Sequence, residues 1–179
     1  EGDGDTAIAL VWSSAQLWLS FSLYAEGDAW IRRAQERLAP STPPALEADL
    51  WLAVARFHGQ RNQQATIMAS RRAADLYASL GDALHRGCAL QALGSAHAAE
   101  RDDEAEPVLL EARALLERTG RPRLVAMAHG GAALFHAARG RPHLERRAVR
   151  QRGRGEPLRR AEVEAALVEI EQRDLLRDW

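Results

Sequence analysis

Histidines, carboxylates, serines and one cysteine are the side chains of this chain from which chemistry could be built. His129 and His136 stand seven apart on one expected helix, so their Cα atoms lie ~10 Å apart, too far to chelate one ion directly. Glu100, Asp102, Asp103, Glu104 and Glu106 crowd a turn that leads into a helix. Negative charge there is favoured by the helix N-terminus, which is reason enough for it. Glu162, Glu164, Glu169 and Glu171 spread around a helix and read as solvated. Serines 13, 14, 20, 22, 70, 79 and 95 fall within expected helices, and none sits in a Gly-x-Ser-x-Gly elbow. Cys88 lacks an activating neighbour and reads as a packed thiol. A single cysteine excludes an intrachain disulfide and a Cys-based zinc site. All 24 basic residues are Arg, so no phosphate-binding loop ending in Gly-Lys-Ser/Thr can exist. The expectation is a chain with no catalytic residues, no cofactor and no metal.

Between Arg139 and Arg160 nine arginines stand with Glu145 and Glu156. Short basic clusters can form nucleic-acid patches. Aromatics for base stacking are absent here, and Gly153-Arg154-Gly155-Glu156-Pro157 reads as a flexible link. A solvated loop or an inter-domain contact is the expected role, without specific nucleic-acid binding. The formal net charge of −1 removes any whole-chain attraction to polyanions or anionic membranes.

The elements that would position these residues are helices. Ala, Leu, Arg and Glu dominate, β-branched residues are sparse, and no segment alternates apolar and polar long enough for a strand. The longest apolar-rich stretch, Thr6 to Ala25, is broken by Ser13, Ser14, Gln16, Ser20 and Ser22, which suits a buried helix and not a membrane span. Turn signals at Gly27-Asp28, Pro40 to Pro44, Gly59 to Asn62, Gly81-Asp82, Arg101 to Asp103, Gly120 to Pro122, Gly140 to Pro142 and Gly153 to Pro157 divide the chain. They predict helices over 6–25, 28–39, 45–58, 63–80, 83–99, 103–118, 122–138, 142–150 and 157–177. A length of 179 residues suffices for one domain with a real core. The chain begins at Glu1 without an initiator Met or a signal peptide, which reads as a segment of a longer cytoplasmic protein.

The helices pair, and the pairs repeat. The turns inside successive pairs are Gly27-Asp28, Arg61-Asn62, Arg101-Asp102 and Gly140-Arg141, and the later spacings of ~40 residues match helical solenoids. Leu80-Gly81-Asp82 and Thr119-Gly120-Arg121 recur at the ends of second helices. Each pair has apolar residues on both sides and needs neighbours to bury them.

Leu90-x-x-Leu93-Gly94-x-x-His97, the Arg101-Asp102 turn and Ala105-x-x-x-Leu109 resemble a degenerate tetratricopeptide repeat. Ala73-Ala74-Asp75-Leu76-Tyr77-x-x-Leu80-Gly81-Asp82 resembles the longer variant found in bacterial transcriptional regulators of the MalT and AfsR kind. Leu10-x-Trp12-x-x-x-x-Leu17-Trp18 with Gly27-Asp28-x-Trp30-Ile31-x-Arg33-Ala34 is similar to the first pair of such arrays, just after their ATPase part. The likeness covers residues 6–140. It departs from the pattern at Gln63 and Asp103, where an aromatic usually follows the turn, and beyond Pro142.

The resemblance implies an all-α fold, a right-handed superhelical array of antiparallel helix pairs, with residues 1–141 as the array. Residues 142–179 would form a degenerate last pair, an Arg/Gly-rich link and a terminal helix. In the repeat register His97 and His136 take the place of an aromatic packed between the paired helices, and His129 that of Trp or Leu. First helices would line a concave face carrying Ser14, Leu17, Phe21 and Tyr24, then Ala48, Trp51, Ala55 and His58. Cys88, Gln91, Ser95 and Ala98 follow, then Met127, Gly130, Leu134 and Ala137. Leu17, Phe21, Tyr24, Trp51, His58, Gln91 and Ser95 are the candidate binding residues. Such an apolar wall suits a helix-like peptide, a small apolar inducer or another domain of the same full-length chain. The implied function is a non-catalytic sensor or interaction segment of a larger regulator. The rivals are a freestanding co-chaperone-like peptide binder, against which the lack of concave arginines counts, and an array attached to a signalling enzyme such as a cyclase.

Overall fold

The computed structural model describes residues 2–138 except residues 60 and 101. Seven helices follow one another: α1 (Gly2–Ser20), α2 (Tyr24–Glu36), α3 (Pro44–His58), α4 (Gln63–Ser79), α5 (Ala83–Ala99), α6 (Ala105–Glu117) and α7 (Pro122–Ala138). Among the described residues there is no strand. The helices expected over 142–150 and 157–177, the Gly140-Arg141 turn and the arginine-rich stretch lie outside the described residues.

Local chemistry sets most of these limits. Pro43 is the N-cap of α3 and Pro44 its first helical residue, where a missing N–H leaves no bond unmade. Asn62 caps α4 by accepting the Ala65 N–H at 3.0 Å, and Asp82 caps α5 by accepting that of His85 at 3.0 Å. Gly81, at φ +71°, ends the preceding helix: its N–H reaches the Ala78 carbonyl while the Asp82 N–H reaches that of Tyr77. That is the Schellman closure, in which the residue after the helix must be left-handed.

The turn between α1 and α2 corrects the sequence reading. It lies at residues 21–23, and Gly27-Asp28 belongs to the body of α2. The same Schellman closure operates, with the Ser22 N–H on Leu19 and the Leu23 N–H on Trp18, but the left-handed residue is Ser22, at φ +56°. Gly27 serves packing instead. A Cβ there would collide with the Phe57 ring, so only glycine lets α2 approach α3 this closely. Gly87 and Gly94 do the same for α5 against α6, where a Cβ would meet Leu116 and Leu109.

Each helix packs on its successor, and the odd-numbered helices also touch in order, α1 on α3, α3 on α5 and α5 on α7. Three apolar clusters result among the described residues. The first joins Ile8, Val11, Trp18, Ile31, Leu50, Val54 and Phe57; the second joins Leu52, Tyr77, Leu90, Leu93, Leu116 and Ala128; a small third joins Ala105, Leu109 and Phe135. Trp12 and Trp51 border the first two clusters and close the seam between them.

Candidate functional site

Helix α1 has two unlike faces. Ile8, Val11, Ala15 and Trp18 repeat at helical spacing and are buried against the helices behind them. Leu10, Leu17 and Phe21, spaced by seven and four, run along another side and are exposed by 43, 51 and 70%. Phe21 lies one residue past the helix, its N–H still bonded to the Leu17 carbonyl, so it continues the strip. Leu23 and Tyr24 extend the exposed apolar surface into α2. Leu10 and Leu23 were not among the expected binding residues, although Leu10 stands one heptad before Leu17.

Tyr24 is held from one side. The Arg61 guanidinium lies 4.2 Å from its ring centroid and 5.0 Å from that of Phe57, and also meets Asp28 Oδ2 at 3.4 Å. His58 closes this corner with Nδ1 4.0 Å from Asp28 Oδ1. Burial pushes the His58 imidazole below its ordinary value, Asp28 opposes that shift, and Arg61 adds to it.

The remaining expected groove residues do not continue this open surface. Trp51 is half-buried, and its Nε1–H donates to Glu47 Oε1 at 3.1 Å; Arg72 donates to the same oxygen at 2.9 Å. Gln91 is buried, donates from Nε2 to Ser95 Oγ at 3.3 Å, and abuts Gly131 of α7. Ala48, Ala55, Cys88 and Gly130 are buried; Ser14, Ala98 and Met127 are half-buried; Ser95 is exposed. The Leu134 and Ala137 side chains lie outside the described residues. What the structure presents together is the α1 end of the expected surface: Leu17, Phe21 and Tyr24.

A second constellation gathers where α5 turns into α6. His97 is 3% exposed, in line with its expected packing between paired helices. Asp102 Oδ2 lies 2.8 Å from His97 Nδ1, and its other oxygen accepts the Glu104 backbone N–H at 3.0 Å. The Glu104 N–H above all, with help from the His97 ring, holds the Asp102 carboxyl below the usual range against the opposing effect of desolvation. Glu104 Oε2 stands 3.5 Å from His97 Nε2 and 3.1 Å from the Arg71 guanidinium. His97 Nε2 has no hydrogen-bond partner. The sequence reading explained the acids by the helix terminus alone and did not join them to His97.

The other titratable groups read as structural. Tyr77 donates to Asp49 Oδ1 at 2.6 Å and stacks on His85, whose Nδ1 lies 2.6 Å from Asp82 Oδ2. Burial, then the hydrogen bond to Asp49, push the Tyr77 hydroxyl far up. Burial also raises the Cys88 thiol against the opposing pull of Arg56, which keeps the sulfur protonated and unreactive. His129 is buried with Nε2 3.3 Å from Glu117 Oε1. Among the described residues, open clefts include one lined by Ala7, Trp30, Arg33, Glu36 and Arg37 and another by Ala83, Leu84, Leu115, Arg118, Thr119 and Arg121. Among the described residues no helix is long and apolar enough to cross a membrane. Compared with family models, curated proteins and solved structures, the chain matches none.

Proposed function

We propose that this chain is a non-catalytic binding segment, a right-handed tetratricopeptide-like stack of helix pairs that works within a larger cytoplasmic bacterial transcriptional regulator. The stacked-pair reading is supported by the order of helix contacts, in which each helix meets its successor and odd helices meet in sequence. The regulator setting rests on the sequence resemblance of residues 6–140. The single observation that carries the binding role is the exposed strip Leu10–Leu17–Phe21 with Tyr24 beside it. Exposed leucine and phenylalanine at helical spacing cost free energy in water, and a partner's apolar face would recover ~25 cal/mol per Å² covered. The occupant suited to such a strip is an amphipathic helix with anchors at matching intervals. Binding would select one curvature of the stack and so bias the state of attached domains.

The test is a peptide-display selection on the immobilised chain, counter-selected against Leu17→Ser/Phe21→Ser. The expected winners are amphipathic helical peptides that bind the parent chain at least tenfold better than this variant. They should bind Met68→Ser, altered at an exposed apolar site on α4, as well as the parent. Peptides that fail to distinguish the strip variant from the parent would overturn the assignment.

A further inference from the structure

We infer that His97 and Glu104 form a binding site for a divalent cation of the zinc class, with Asp102 orienting the imidazole. Among the described residues, His97, Asp102 and Glu104 bring one nitrogen and two carboxylate oxygens within 4.8 Å of one another. Their arrangement around the ring is directional. Asp102 Oδ2, 2.8 Å from Nδ1, is an acceptor that favours the Nδ1–H tautomer whenever the imidazole is neutral. Nε2 then carries a lone pair, buried and without a hydrogen bond, facing Glu104 Oε2 at 3.5 Å. Two acceptors facing each other at this distance, one inside the protein, repel unless a proton or a metal ion lies between them.

The spacing suits a metal ion. Ligand arms of ~2.0–2.1 Å in a tetrahedron place neighbouring donor atoms ~3.4 Å apart, close to the observed separation. A carboxylate on the far nitrogen of a ligating histidine is the recurrent way to fix its tautomer and strengthen it as a donor. The Glu104 side chain is 61% exposed, so an ion could enter from solvent and complete its shell with water. Glu100, Asp103 and Glu106 add negative charge to the same turn, which draws a cation towards it. Arg71 works the other way, holding the Glu104 oxygen that the ion would take. A bound ion would tie the end of α5 to the start of α6 and stiffen that junction.

The test is calorimetric titration of the chelator-treated chain with Zn²⁺ alone, with ¹⁵N NMR of the imidazoles alongside. One binding event per chain is expected, moving the His97 Nε2 resonance while Nδ1 keeps its proton. Glu104→Gln, a change at an exposed side chain, should weaken binding at least tenfold without unfolding the protein. Asp102→Asn should weaken it about tenfold. Arg71→Met should tighten it by freeing Glu104, and His85→Gln should leave it unchanged. A titration with no event, or one that Glu104→Gln and His97→Gln leave intact, would overturn the site.

Discussion

Burial at the end of α3 withdraws His58 from water, and that effect outweighs the favourable field of Asp28. The folded imidazole therefore binds its proton at a lower pH than the ordinary 6.5 of the unfolded chain. Between these two values the unfolded state holds more protons, so stability is complete above 6.5 and falls as pH drops through that window. The thermal midpoint is expected to fall from about pH 7.5 to about pH 5.5, and to fall less in His58→Gln. Equal losses in the two proteins would assign the dependence to other groups. His58 was legible as a residue near the groove, but its burial was not. One step along a helix turns a side chain by ~100°, so a register wrong by one residue carries it from surface to core. Gln91 and Trp51 show the effect: both were expected on an open wall, and one is buried while the other closes a seam.

Helix ends obey backbone geometry before they obey residue preference. At the end of α4 the two agree, since Gly81 supplies the left-handed residue that the closure needs, and that end was legible. At the end of α1 they disagree. Ser22 takes the left-handed conformation while the nearby glycine, Gly27, faces Phe57. A reading that gives turns to glycines must then misplace this one, and it did so by about a turn of helix. The same inversion sets the response to substitution. A non-glycine residue in the left-handed region costs ~1–2 kcal/mol, partly offset by the greater unfolded-state freedom of glycine. Ser22→Gly is expected to stabilise the chain by ~0.5–1 kcal/mol. Gly27→Ala should destabilise it by ~1–3 kcal/mol, because Phe57 is 1% exposed and has no room to withdraw. Chemical denaturation of the two variants checks both signs, and a Gly27→Ala protein as stable as the parent would show that α2 can slide.

On the scale of the molecule, what was legible was the all-helical class and the succession of helices, because apolar periodicity and turn chemistry recur along the chain. The exposed strip was legible in part, since Leu17 and Phe21 continue a helical spacing whatever the register of later pairs. The His97–Asp102–Glu104 arrangement was not, because it depends on how a turn folds back over the end of α5. The contact order carries one further consequence. Neither α1 nor α2 makes a substantial contact with α5, α6 or α7, and the first two apolar clusters meet mainly at Trp12 and Trp51. In a linear stack, stability is close to a sum of unit and nearest-neighbour contributions, so a defect at one end is felt mainly there. In a closed bundle every helix shares one core, and a defect lowers protection throughout. Gly27→Ala places such a defect at the α2–α3 contact, inside the first cluster. Native-state hydrogen exchange should then show amides of α1 and α2 losing protection by most of the measured destabilisation. Amides of α5 and α6, behind the Trp seam, should keep protection within a few tenths of a kcal/mol of the parent. A uniform loss across all seven helices would mean that the clusters unfold as one unit, and the linear-stack reading would fail.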